Sequence, residues 1–100
     1  VNLIQVFHYR EYMLKYKDFT NDEIELCYSK IAINIKTIRQ SKNISQLDLA
    51  YSIGHKSVST IAKIEANLEN KHYNIEHLYK IATSLNVDMC EFFKDIKTTS

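Results

Sequence analysis

A chain of 100 residues with no proline and one glycine has few places to turn sharply. That glycine, Gly54, is the point around which residues 45–65 (SQLDLAYSIGHKSVSTIAKIE) are arranged. Before it, Leu47, Leu49, Ala50 and Ile53 recur at helical spacing. Ser45 is a good N-cap for that segment, and Asp48 three residues on forms a capping-box-like pair with it. Gly54 then falls where the helix must stop, because a residue without Cβ reaches the left-handed region most cheaply. Ser57 can cap a second helix, with Ile61, Ala62, Ile64 and Val58 on its inward face. The spacing therefore predicts two short capped helices about a single glycine turn, the helix-turn-helix pattern.

Helical signals flank this unit on both sides. Thr20 or Asn21 caps a helix with Asp22 and Glu23 in its first turn. Its apolar positions are Ile24, Cys27, Ile31, Ile35 and Ile38, and it runs towards Lys42. Asn43, the residue most tolerant of the left-handed region after glycine, ends it, and Ile44 packs inward. Further on, Asn74 caps a helix with core positions Ile75, Leu78, Tyr79, Ala82 and Leu85. Asp88 and Glu91 predict a last capping box, with Met89, Phe92 and Phe93 packing back. Residues 1–19 form an N-terminal extension rich in aromatics, with Leu3, Val6, Phe7, Tyr9 or Arg10, Met13 and Tyr16 at amphipathic helical steps. A brief alternation at Leu3, Gln5 and Phe7 also permits a short strand there. The extension either packs on the domain or serves as a dimerisation arm, since aromatic side chains dominate interface energetics. The expected organisation is an all-α domain over residues 20–96, preceded by this extension and followed by a frayed tail over 97–100.

One hundred residues suit one domain with a single core and no need of disulfides. Cys27 and Cys90 stand in no paired pattern and are expected as reduced, core or semi-buried thiols. No run of about 18 apolar residues is present, so no membrane span is expected. Residues 1–7 lack the basic start of a signal peptide, so the expected location is cytoplasmic and nucleoid-associated. The net charge of +1 is small for a nucleic-acid binder, but it is unevenly spread. Residues 28–80 carry eight Lys and Arg against four Asp and Glu, net +4, while residues 1–27 carry −2 and residues 81–100 carry −1. Positive charge thus collects around the helix-turn-helix, as a nucleic-acid face would require. A mildly uneven solvated surface accounts for it equally well.

Residues 28–93 resemble the Xre/Cro family of bacterial and phage repressors. The resemblance is carried by Ile38-Arg39, Ser45-Gln46, Leu49-Ala50, Gly54, Ser57, Ser59-Thr60-Ile61 and Lys63-Ile64-Glu65. It continues through IEHLYKIATSLNV (75–87) and DMCEFF (88–93), which are similar to the family's fourth and fifth helices. It implies a five-helix fold like that of the lambda-type phage repressors. Two spacings depart from the family pattern. One extra residue lies in the turn at His55-Lys56, and about two lie between Glu65 and Ile75.

The resemblance also implies a site. The family's third helix lies in the major groove, which assigns base contacts to Val58, Ser59 and Lys63, with Lys56 and His55 close enough to contribute. Competing readings are a core contact for Val58 and a solvated side chain for Lys63. Phosphate contacts fall to Gln46 at the start of the second helix, to Thr60, and to Asn70, Lys71 and His72 in the following loop, where Asn67 also lies. Similar repressors pair an Arg late in helix one with a Glu late in helix three, which here are Arg39 and Glu65. The expected function is sequence-specific binding of a double-stranded DNA operator by a homodimer, as a repressor or autoregulator. The rival is a protein-interaction module with the same fold and little specific DNA binding. No enzyme, metal, cofactor or small-molecule ligand is expected. His72 and His77 share no helix face, His8, His55, Cys27 and Cys90 have no ligand spacing, and no glycine-rich loop or nucleophile motif is present.

Overall fold

The computed structural model describes residues 20–98 together with Leu3; the rest of the 1–19 extension, with its expected helix or dimerisation arm, and the end of the tail lie outside the described residues. Four α-helices follow in order: α1 (Asn21–Ser41), α2 (Gln46–Ser52), α3 (Ser59–Glu65) and α4 (Ile75–Leu85). A 3-10 helix, Met89–Phe93, closes the described chain, which contains no strand. The fold is therefore all-helical as expected, but with four α-helices where five were expected. Asp88 explains the difference. Its carboxylate accepts the Cys90 N–H at 2.9 Å, and its carbonyl accepts the Glu91 N–H at 3.0 Å, so the chain winds tighter than an α-turn. The capping box expected between Asp88 and Glu91 does not form, and Glu91 faces Lys94 at 3.0 Å instead.

The helix starts follow their sequence signals unevenly. Thr20 and Glu23 cap each other at the head of α1, with both bonds at 3.2 Å. Ser45 accepts the Asp48 N–H at 3.0 Å ahead of α2. Asn74 opens α4 with a box whose third residue is a histidine: Asn74 Oδ1 accepts the His77 N–H at 2.8 Å, and His77 Nδ1 accepts the Asn74 N–H at 3.2 Å. At α3 the expected Ser57 cap gives way to Val58, which holds the N-cap position with no side-chain cap. Ser57 Oγ reaches only the Ser59 N–H, at 3.4 Å, because the chain is already helical at Val58 and its carbonyl accepts from Ala62 at 2.9 Å.

Each of these four α-helices ends in the same way. The residue after each last turn is left-handed: Asn43 (φ 59°), Gly54 (φ 89°), Asn67 (φ 59°) and Asn86 (φ 56°). The next N–H in each case returns to a carbonyl five residues back, as in Ile44 to Arg39 (3.1 Å), His55 to Ala50 (2.9 Å), Leu68 to Lys63 (2.8 Å) and Val87 to Ala82 (3.0 Å). These are Schellman endings, in which asparagine takes the usual glycine position three times out of four.

The core joins Ile31, Ala32 and Ile35 of α1, Leu49, Ala50 and Ile53 around α2, Ile61 and Ile64 of α3, Tyr73, the inner face of α4, and Phe92. On α4 that face is Leu78, Ile81, Ala82 and Leu85. Ile75 and Tyr79, expected there, are 70% and 66% exposed, and Ile81 takes their place. The hydrophobic stripe lies one position round the helix because α4 packs against both α2 and the 3-10 helix. Leu47 on α2, Ile24 on α1 and Phe93 are likewise exposed rather than inward. Cys27 and Cys90 are free thiols, but both are exposed rather than buried. Asn34 ties the C-terminal turn to α1, its Nδ2 donating to the carbonyls of Phe92 and Lys94, each at 2.9 Å.

Candidate nucleic-acid interface

Two short helices and their flanking loops build this surface. With its side chains an α-helix such as α3 is about 10–12 Å across, which fits the roughly 12 Å width of a DNA major groove. Ile61 and Ile64 turn into the core, which fixes the rotation of α3 about its axis. The other positions of α3 are less covered. Ser59 is exposed, while Thr60, Ala62 and Lys63 are half-buried. Val58 is half-buried at the N-cap, and Lys56 and Ser57 are exposed in the turn before it. His55 is half-buried, with its ring 5.4 Å from that of His77.

Beneath α3 lies a polar hub. Arg39 of α1 is buried, and its charged side chain meets the equally buried carboxylate of Glu65. Its Nε donates to Glu65 Oε1 at 2.9 Å, and its Nη2 to Glu65 Oε2 at 3.1 Å. The third arm, Nη1, donates to the Ile44 carbonyl at 2.7 Å. Gln46, the first residue of α2, donates its amide Nε2 to Glu65 Oε2 at 2.7 Å. One carboxylate at the end of α3 thus ties together α1, the start of α2 and α3. Such two-pronged Arg–carboxylate contacts fix orientation as well as distance. Gln46 keeps one amide hydrogen for an outside partner. Tyr73 is buried beside this hub, and its hydroxyl has no hydrogen-bond partner among the described residues. Burial, helped by the Glu65 charge and opposed by Arg39, pushes that phenol well above its ordinary value.

The loop after α3 is held against α1 at two points. Ser29 Oγ donates to Asn67 Oδ1 at 3.3 Å. The His72 ring stacks on Tyr28 at 3.8 Å, nearly parallel, with His72 Nε2 3.0 Å from Glu25. His72 therefore lies on α1 rather than free in the loop. Between these anchors Asn70 and Lys71 are exposed. Lys63 reaches across to Glu69, Nζ to Oε2 at 2.7 Å. The Lys63 ammonium, with a smaller contribution from the charge of Lys71, holds the Glu69 carboxyl below the usual carboxylate range. Of the assigned lysines, Lys63 is paired with this acid, and Lys71 lies exposed two residues further along the same loop.

Sequence reasoning missed Glu25, Tyr28 and Ser29 as loop anchors, and Glu69 as the partner of Lys63. The anchor pairs are 38 and 47 residues apart in the chain and carry no local signal. Among the described residues no group of three or more His, Cys, Asp or Glu could hold a metal ion, and no helix is long and apolar enough to cross a membrane.

Comparison with known families agrees with this geometry. A family model described as helix-turn-helix, HTH_3, matches residues 35–92, which reach from the middle of α1 through the 3-10 helix. No curated protein and no solved structure matches the chain. The match covers more than half of the chain and includes both helices of the turn and the hub beneath them, and the chain belongs to the Xre/Cro-like helix-turn-helix family of DNA-binding regulators.

Proposed function

We propose that the chain is a sequence-specific regulator of transcription, a repressor or autoregulator, that binds a double-stranded operator as a homodimer. The observation that carries this reading is the fixed pose of α3. Ile61 and Ile64 anchor it in the core, Glu65 locks its end to α1 and α2, and its other side carries exposed Ser59 and half-buried Lys63. In this reading Val58, Ser59, Lys63 and Lys56 meet base edges: lysine donates to guanine, serine serves either partner, and valine meets a thymine methyl. Gln46, Thr60, Asn70, Lys71 and His72 meet phosphates and set the register. Two copies would place their α3 helices about 34–36 Å apart, one turn of DNA. The protein works by occupying its site, with no cofactor and no reaction of its own.

Selection of binding sequences from a pool of random duplexes, followed by fluorescence anisotropy on the enriched sequence and a scrambled one, tests this. A two-fold-symmetric enriched sequence, bound about 10³-fold or more tightly than the scrambled duplex, is the expected result. Lys63→Ala is expected to reduce that ratio. Equal, weak binding to both duplexes would overturn the reading in favour of a protein-interaction module on the same fold.

A further inference from the structure

We propose that Glu69 is a built-in competitor of DNA: its carboxylate occupies Lys63 where a phosphate or base would, and so lowers the chain's affinity for arbitrary sequence. This rests on the reading of α3 and its following loop as the DNA-facing surface. Three observations carry it.

The first is contact. Glu69 lies 2.7 Å from Lys63, and it is the only acid in residues 66–73, the loop that also holds Lys71. Lys63 and Lys71 are the two lysines assigned to DNA from α3 onward, and both act on this one carboxylate. The second is restraint. An exposed ion pair is ordinarily weak, because two long side chains must be held in one geometry. Here the loop that carries Glu69 is fastened to α1 by Ser29–Asn67 on one side and by the Tyr28–His72 stack with Glu25 on the other. The Leu68 N–H also returns to the Lys63 carbonyl at 2.8 Å. The carboxylate is thus delivered to Lys63 by a fastened loop.

The third is backbone conformation. Glu69 sits at φ 55°, between left-handed Asn67 (φ 59°) and Asn70 (φ 51°). Asparagine visits this region far more readily than glutamate. At the other α-helix ends among the described residues the left-handed residues are Asn43, Gly54 and Asn86, while Asp95, past the 3-10 helix, is a second left-handed acid (φ 59°). Position 69 holds an acid where the backbone favours asparagine or glycine, and strain of this kind persists where the side chain serves a purpose.

The consequence follows from how non-specific binding works. Nearly all of it comes from phosphate charge, released as counterions. A carboxylate on the DNA-facing loop must be displaced from Lys63 and then faces the phosphates, so every sequence is disfavoured. Only a sequence that offers Lys63 a good acceptor recovers the loss. Glu69 therefore raises selectivity by lowering background affinity.

The test compares the wild-type chain with Glu69→Gln, and with Glu69→Asn, which removes the charge while suiting the left-handed backbone. Glu76→Gln is the control: it changes the net charge equally, but from the Glu76–Lys80 pair on α4. Binding to a random-sequence duplex of about 30 base pairs is measured by anisotropy at about 50, 100 and 200 mM salt. One more lysine free to meet phosphate steepens the salt slope by about 0.9, so the affinity of E69Q relative to wild type grows about 3.5-fold from 200 to 50 mM salt. E69N behaves as E69Q, and E76Q stays near wild type. If E69Q and E76Q behave alike while the wild type binds DNA, the proposal alone is overturned. If no variant binds DNA at 50 mM salt, the DNA reading itself falls and takes the proposal with it.

Discussion

Replacing Arg39 by alanine breaks the polar hub that ties α1, α2 and α3 together. The side chains of Arg39 and Glu65 are 8% and 3% exposed, so neither charge is hydrated in the folded state. Glu65 accepts three hydrogen bonds, two from Arg39 and one from Gln46. Arg39→Ala removes two of those three and also strips the Ile44 carbonyl of its donor. What remains is a buried carboxylate with a single neutral partner. Breaking a buried pair in this way costs about 3–5 kcal/mol, against a total stability of about 5–15 kcal/mol for a domain of this kind. At about 4–8 °C per kcal/mol for a small domain, the midpoint of thermal unfolding should fall by roughly 12–40 °C. Circular dichroism at 222 nm reads this directly, with Lys36→Ala on the exposed face of α1 as the reference. The double variant Arg39→Met, Glu65→Leu should recover much of the loss, because an apolar pair leaves no unpaired charge. If Arg39→Ala melts within about 2 °C of Lys36→Ala, the hub does not hold the three helices together, and the fixed pose of α3 needs another cause.

Gly54→Ala should cost about 1–2 kcal/mol in chemical denaturation and Gly54→Asn clearly less. The added Cβ meets nothing within 4 Å, so only the φ of +89° is at stake; equal losses would show that space matters after all. Tyr73→Phe should leave stability unchanged or raise it by up to about 1 kcal/mol, since it removes a buried hydroxyl that has no partner among the described residues. A loss above about 1 kcal/mol in the same assay would show that the hydroxyl is satisfied. His77 should make the domain less stable in acid. Its imidazole is held below its ordinary value by burial, then by His55, so the unfolded chain binds more protons near the unfolded value of 6.5. The stability from neutral His77 is full above that value and is lost as pH falls through it. His77→Gln, which can close the same capping box without titrating, should flatten melting between pH 7.5 and 5.0; an unchanged pH profile would remove His77 as the cause.

What the sequence disclosed was local. Thr20, Ser45 and Asn74 cap α1, α2 and α4 because their signals act within three residues and need no partner elsewhere. Gly54 and Asn43 end helices for the same reason. Side-chain faces were less readable. Ile75 and Tyr79 of α4 sit at helical spacing with Leu78 and Ala82, yet the core takes Ile81 instead. On an eleven-residue helix rich in apolar residues, several stripes are possible, and the choice is made by what α2 and the 3-10 helix present to it. The last helix was misjudged at a single bond. Asp88 caps the N–H two residues ahead rather than three, and the winding tightens accordingly.

The site divides along the same line, and the division has a physical reason. Arg39 and Glu65 could be paired from a family pattern because a buried charge must find its partner, and few residues can serve. Exposed charges carry no such obligation. Lys63 could have remained in solvent, met Glu69, or waited for a ligand, and nothing in the residues 57–67 decides among these. The decision lies in residues 66–73, whose path depends on three left-handed turns and on two anchors to α1 contributed by Ser29 and by Tyr28 with Glu25. The connection between Glu65 and Ile75 brings an acid to the lysine in the last turn of α3, at 2.7 Å. On the proposed reading of α3 as the base-facing helix, residues 66–73 are therefore where the charge balance of that surface is set.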